Sequence, residues 1–366
     1  MIARLLALAV LLAPSCASNG LVPIAKAQSR YDALDPSGVR GLAQARFQLA
    51  SGHPAEARAA LEELRRTHPE CIYLALWQQE AEIAELGLDA VWPGRTGAAK
   101  PSEEQRDALE ALRQRWRGRA EVTEARVVDF VAAARLETDA PAARLLLDGA
   151  ERLDPRCAWV PYARAFLAAR EDDWPAVNAE IERARALDPG HLPTRWLEAW
   201  TLARGGSPGV AHEALENWLE RARGDARIDT QLVDEAELDL AVTSVLEGEP
   251  KAAREWLDQL EGQLSNPARA LCARASAEEA LGESEHALEL AQKAAELDPN
   301  ALLPLVQQAL LWQHWRKDPA RAETEWLKVL TLARSSPELG ALFERLRARV
   351  MLDRRARALE KERPGS

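Results

Sequence analysis

The tightest constraint on this chain is a recurrence. Leu153-Asp154-Pro155, Leu187-Asp188-Pro189 and Leu297-Asp298-Pro299 each end a stretch of helical apolar spacing. The first two of these prolines stand 34 residues apart, and the third lies a further 110 on, three periods with an insertion of 8. Pro69 to Pro155 is 86 residues, two periods with an insertion of 18. A unit of this length holds two short helices and their turns, and neither helix can cover its apolar face alone, so neighbouring units must stack. A second series, Pro54, Pro141, Pro175, Pro208, Pro250 and Pro319, falls where the second helix of each unit starts. There a missing N–H costs nothing and the fixed φ suits the first turn. Asp139, Asp173, Ser207 and Asp318 precede them as candidate caps.

The same register predicts where the two helices of a unit cross. The first helices place Ala45, Val131, Ala165, Ala199, Ala241, Ala275 and Leu310 at the crossing, and the second helices Ala57, Ala143, Val177, Ala211, Ala253, Ala287 and Ala322. Four residues after the latter come Leu61, Leu147, Ile181, Leu215, Leu257, Ala291 and Trp326. A bulky residue at the second position would overpack the crossing at a cost of about 1–3 kcal/mol. This pattern resembles the tetratricopeptide repeat (TPR) over almost the whole chain beyond residue 37. It departs from the family in the first helix, where the usual Trp and Tyr positions hold residues such as Val127, Pro161 and Arg195, or Ala134, Ala168 and Ser244. The resemblance implies an all-α fold, an α-solenoid or superhelix of seven to eight helix-turn-helix pairs over 37–336, interrupted near 88–101 by a Pro- and Gly-bearing loop around Trp92. Residues 337–366 read as an amphipathic capping helix, with Leu339, Leu342, Phe343, Leu346 and Val350 on one face, and a polar tail.

At the N-terminus, Met1 to Arg4 gives a short basic start and Leu5 to Leu12 an unbroken apolar run, the pattern of an export signal. The run is far below the about 20 residues that span a bilayer. It ends in Ala13-Pro14-Ser15-Cys16, which resembles the lipobox of bacterial lipoproteins, with Ala13 and Pro14 where that family usually has Leu and a small residue. The resemblance implies a signal peptide over 1–16, a lipid on Cys16 and a flexible tether over 17–36. Because Ala17 and Ser18 include no Asp, it also implies an outer-membrane lipoprotein facing the periplasm. The alternative is a plain secretory peptide cut after Ala27, giving a secreted or soluble periplasmic protein.

Charge and composition remove several functions. The 366 residues carry 47 Lys plus Arg against 58 Asp plus Glu, a net charge of −11, which offers no general basic face to nucleic acid. With no C-x-x-C and six scattered histidines, neither a metal site nor a cofactor is expected. Cys71, Cys157 and Cys272 are an odd set, read as small buried packing residues. Gly205-Gly206-Ser207-Pro208-Gly209 spells G-x-S-x-G, but a nucleophile elbow needs a preceding strand and this segment is a turn between helices, so no catalytic residue is expected.

What remains is aromatic. The chain has 12 Trp but only 3 Tyr and 4 Phe. The inward positions of two adjacent first helices hold Trp159, Tyr162 and Phe166, then Trp196 and Trp200, with Arg170 and Arg204 one turn onward and Trp77 and Trp315 on matching faces. Trp and Tyr combine large area with a polar handle, which suits interfaces. The expected function is a noncatalytic scaffold that captures a protein or extended peptide on this concave groove, touching the membrane only through its lipid. By resemblance to lipoproteins of this build, it would serve the assembly of an envelope complex. Packing of these rings between neighbouring helices is the competing reading. Two other functions stay open: an enzyme with its site in the 88–101 loop or on the solenoid face, and a self-associating structural array.

Overall fold

The computed structural model describes residues 29–88, 102–171, 173–204, 207–260, 267–299 and 301–334, and among them it has sixteen helices and no strand. In chain order these are α1 (Pro36–Ala50), α2 (Pro54–Thr67), α3 (Ile72–Glu85), α4 (Glu103–Ala120), α5 (Val127–Leu136), α6 (Ala140–Leu153), α7 (Trp159–Arg170) and α8 (Trp174–Leu187). They continue as α9 (Leu192–Arg204), α10 (Pro208–Ala222), α11 (Thr230–Glu247), α12 (Pro250–Gln259), α13 (Pro267–Leu281), α14 (Ser284–Leu297), α15 (Leu302–His314) and α16 (Pro319–Arg334). The result is an all-α solenoid of eight helix pairs. It forms two compact units, one reaching Ala236 and the other starting at Glu237, with the division inside α11. The signal region 1–16, the tether up to residue 28, the interruption at 89–101 and the capping segment 337–366 lie outside the described residues.

The recurrent tripeptide has one structural meaning. Asp154, Asp188 and Asp298 are the C-caps of α6, α8 and α14, with φ/ψ of −148/98°, −145/97° and −135/87°. A residue before proline is pushed out of the α region, and each aspartate takes that exit while its N–H still bonds the carbonyl of Ala150, Ala184 or Ala294. Proline stands at the first or second position of α2, α6, α8, α10 and α12, and α16 begins on Pro319. The side chains of Asp139, Asp173 and Asp318 accept from the N–H of Ala142, Ala176 and Arg321 at 2.9, 3.2 and 3.0 Å. Ser207 differs from the expectation: its hydroxyl makes no capping bond, and only its carbonyl joins the helix, accepting from Ala211 N.

The small residues sit at the crossings as the register requires. Ala57, Ala143, Val177, Ala211, Ala253 and Ala287 are all 0% exposed, and Ala322 is 3%. In the last pair the first-helix position is Ala309, fully buried, while Leu310 turns partly outward, a shift of one residue. Ala309 is also the residue that stands 34 positions after Ala275, so the small residue keeps the period. Gly149 shows the tightest approach: a Cβ there would lie 2.4 Å from Phe130 Cε1.

Helix α3 is the centre of the first unit. It buries twelve consecutive residues, Ile72 to Ile83, polar ones included. Each buried polar side chain therefore needs a partner. Gln78 accepts from Arg65 at 2.8 Å and donates to Glu82, while Gln79 donates to the Ala132 carbonyl at 2.6 Å and accepts from Arg135. Glu80 pairs with Arg135, and Glu82 accepts from the indole of Trp116 on α4 at 2.7 Å. A first helix of an open solenoid keeps one stripe exposed. In α3 that stripe is covered, and the covering segments define the site below. In the second unit Leu238, Ala241, Ala253, Leu257, Ala273 and Ala277 form one continuous apolar cluster across α11, α12 and α13.

Candidate functional site

Residues 29–34, expected as tether, are part of the fold. Ser29 to Asp32 form a turn closed by Asp32 N–H donating to the Ser29 carbonyl at 3.0 Å. Tyr31 and Asp32 are each 5% exposed. The N–H of Ile72, at the start of α3, donates to the Tyr31 carbonyl at 2.9 Å. The Tyr31 hydroxyl donates to Asp154 Oδ2 at 2.6 Å, and Arg30 pairs with Asp154 and with Glu70. Deeper in, Trp159 Nε1 donates to Asp32 Oδ1 at 2.7 Å and Arg227 Nη1 to the Asp32 carbonyl at 3.1 Å. One short turn thus engages α3, α6, α7 and the α10–α11 connection.

The socket beneath it is aromatic. Trp159 meets Tyr73 at 5.0 Å, Tyr162 at 5.6 Å and His191 at 4.7 Å between ring centroids, each nearly perpendicular. Edge-to-face contacts of this kind place positive ring edges on negative faces. His191 is fully buried, and its Nδ1 lies 2.7 Å from Thr194 Oγ1 while Nε2 has no hydrogen-bond partner among the described residues. Burial pushes its pKa down to about 3, an effect Asp188 opposes and Arg227 reinforces.

A second piece of the chain fills the neighbouring part of the face. The α10–α11 connection presents carbonyls inward: Ala226 O accepts from Arg46 Nη1 at 2.7 Å and Arg227 O from Trp77 Nε1 at 3.2 Å. The Arg46 guanidinium lies 4.6 Å from the Trp77 ring centroid. Arg227 faces a large desolvation cost, but a forked bond to Asp225, with attraction to Tyr73 and Asp32, outweighs it and holds the guanidinium charged. Burial likewise pushes the Asp32 carboxyl up, against the pull of the Trp159 N–H and of Arg227. Arg135, largely shielded beside Glu80, is brought down to about 10 by desolvation.

The expected groove residues divide. Trp159 and Tyr162 are 2% and 8% exposed and touch each other inside the socket. Phe166, Trp196 and Trp200 are half-buried, and Arg170 is exposed with Nη1 3.5 Å from the Glu137 carbonyl. Trp200 lies 5.7 Å from Trp174, between the start of α8 and the end of α9, whereas the Trp196 indole N–H has no acceptor among the described residues. The side chain of Arg204 and the lipidation candidate Cys16 lie outside the described residues. Trp77 is 8% exposed, and Trp315, in the second unit, carries Arg316 4.0 Å from its ring. The sequence reading missed Tyr31, Asp32, Tyr73, His191 and Arg227. Their one trace in the sequence is that Tyr31 and Tyr73 are two of only three tyrosines, and the third is Tyr162.

Chemically this is a holding site. Its donors and acceptors are arranged for peptide carbonyls, one carboxylate and one phenol. Cys71 and Cys157 nearby are raised by burial to about 11 and about 12, so neither is a thiolate at neutral pH. Among the described residues no group of three or more His, Cys, Asp or Glu could hold a metal, and no helix is long and apolar enough to cross a membrane.

No family model matches the chain, and no curated protein matches it. Solved structures do. The chain is similar to one in the APC/C hetero-tetramer Cut9–Hcn1, with a TM-score of 0.55 at 15% identity over 84% of this chain and 55% of that one. It therefore spans about half the length of that relative. It is also similar to NprR in complex with its cognate peptide NprX, with a TM-score of 0.52 at 15% identity, covering 67% of this chain and 77% of that one. A tetratricopeptide repeat protein from Parabacteroides merdae covers 76% of this chain and 99% of its own at 12% identity and a TM-score of 0.45. At these identities the likeness concerns fold alone, and the matches to the Cut9–Hcn1 chain and to NprR agree with an all-α architecture of stacked helix pairs, the kind of fold that tetratricopeptide repeats form.

Proposed function

We propose that this chain is a noncatalytic protein-interaction scaffold that captures a polypeptide segment on the first-helix face of its first unit. One observation carries the reading: that face already binds polypeptide, holding the Ser29–Asp32 turn through two backbone acceptors, a carboxylate and a phenol. Arg170, exposed at the end of α7, the helix that carries Trp159, suits the rim of a larger footprint. NprR, of the same fold, is known with its cognate peptide bound.

The scaffold is membrane-anchored through lipidated Cys16, on the outer membrane and facing the periplasm, and serves the assembly of an envelope complex. Twelve residues lie between Cys16 and Ser29, thirteen steps along the chain, so the turn lies within about 45 Å of the lipid at full extension. Such confinement raises the effective concentration of the site for neighbours at the same surface.

A photo-crosslinking side chain at Arg170 is expected to capture one recurrent partner in the native cell. The same group at Leu145, 70% exposed on α6, is expected to capture none. Trp196→Ala with Trp200→Ala should abolish capture while the helical CD signal and melting temperature hold. Unfolding of that variant instead would make both rings core residues. Mass spectrometry should find a diacylglycerol mass on Cys16, and Cys16→Ala should release the protein from the membrane.

A further inference from the structure

The turn that fills the socket is unlike ordinary packing. Its anchoring groups are polar and specific: the Trp159 N–H and Arg227 guanidinium on Asp32, the Ile72 N–H on the Tyr31 carbonyl, and Asp154 on the Tyr31 hydroxyl. A segment that serves only to cover apolar area has no need of such bonds, because each buried polar group costs free energy unless it is matched. Flanking it, Ala33 is exposed and Leu34 half-buried, so Tyr31 and Asp32 alone are fully engaged. Beside the turn an open cleft of about 180 Å³, lined by Arg30, Tyr31, Glu70, Arg126, Val127 and Leu153 among others, gives an incoming chain a place to land.

We propose that this socket is a recognition site for a turn on another protein that carries an aromatic residue followed by a carboxylate, and that Tyr31-Asp32 is the chain's own placeholder for it. The proposal rests on the scaffold reading above and names the class of segment captured. The incoming aromatic ring replaces that of Tyr31, its carboxylate takes the indole N–H of Trp159, and its backbone takes Ile72 and Arg227. The tethered turn competes at the effective concentration set by its short connection to α1, so only a partner that binds more tightly, or is held nearby, displaces it.

The test uses the full chain and a labelled peptide with the sequence of residues 28–36, followed by fluorescence anisotropy. A chain carrying Tyr31→Ala and Asp32→Ala, whose placeholder is disabled, is expected to bind the peptide at least tenfold more tightly than the unaltered chain. A peptide with Asn in place of its Asp should bind that chain about tenfold more weakly. In a chain that also carries Trp159→Phe, the preference for Asp over Asn should vanish. Equal affinity of the two chains, or indifference to the Asp-to-Asn exchange, overturns the proposal. Should the double variant lose its cooperative melt, Asp32→Asn alone, which keeps Tyr31 seated, decides the matter: a threefold gain in peptide affinity supports the socket and no gain overturns it. If crosslinking from Arg170 still captures a partner while the peptide assay fails, only the socket proposal falls. If both fail, the scaffold reading falls with it.

Discussion

Trp159 and Asp32 stand 127 residues apart in sequence and 2.7 Å apart in space, joined by an indole N–H donating to a carboxylate that is 5% exposed. Repeat proteins are ordinarily held by contacts between neighbouring units. This bond instead ties the segment before the first helix pair to the fourth.

Removing the donor therefore has a cost beyond the lost bond. Trp159→Phe keeps most of the ring volume but leaves Asp32 short of a partner in a desolvated site. We expect a loss of about 1–3 kcal/mol in unfolding free energy, read from urea denaturation of the full chain. Trp159→Phe combined with Asp32→Ala should lose less than the two single changes together, because the unsatisfied carboxylate is gone.

His191 gives the fold an acid-sensitive point. Its pKa in the folded chain is about 3 against an ordinary 6.5, so between those values the unfolded chain binds a proton that the folded chain refuses. Stability from this group is complete above about pH 6.5 and is lost as pH falls toward 3. Between pH 7 and pH 5 the loss is about 2 kcal/mol for one such histidine. Urea midpoints of His191→Asn at the two pH values should differ by correspondingly less than those of the unaltered chain.

Gly149 permits α6 to approach α5. Gly149→Ala places a methyl 2.4 Å from the Phe130 ring and should destabilise by about 1–3 kcal/mol despite the better helix propensity of alanine. Thermal melts should show recovery when Phe130→Leu is added. A stable single variant would show that the ring moves aside freely.

The three described cysteines are free thiols, each at most 2% exposed and raised by burial to about 11 or 12. Iodoacetamide at pH 8 should leave Cys71, Cys157 and Cys272 unmodified in the folded chain and label all three in denaturant. Mass spectrometry reads the count directly.

Much of this architecture was legible because it is periodic. Ala57, Ala143 and Ala211 each follow a helix-starting proline by two or three residues, and each lies fully buried at its crossing. Leu310, the expected crossing residue, lies one residue too far along: a step of 34 from Ala275 lands on Ala309, which is the residue buried there. The groove was legible in part. Trp159 and Tyr162, expected to line an open groove, are buried, and what covers them was invisible, since Tyr31, Asp32 and Arg227 belong to no repeat: Asp32 meets Trp159 across 127 residues and Arg227 meets Trp77 across 150. A polar stretch before the first helix reads as linker, and nothing local distinguishes a linker from a segment whose partners are that far away.

That separation also dictates an order of events during synthesis. Asp32 leaves the ribosome long before Arg227, whose guanidinium it needs and which follows 195 residues later. At about 5–20 residues per second the wait is on the order of 10–40 s. Throughout it, the helix pairs completed first hold an uncovered aromatic socket and a loose, competing turn. The nascent chain is thus exposed to association through that socket until its sixth pair begins to form, and a chaperone or export factor acting in that interval would meet a surface the finished protein no longer shows.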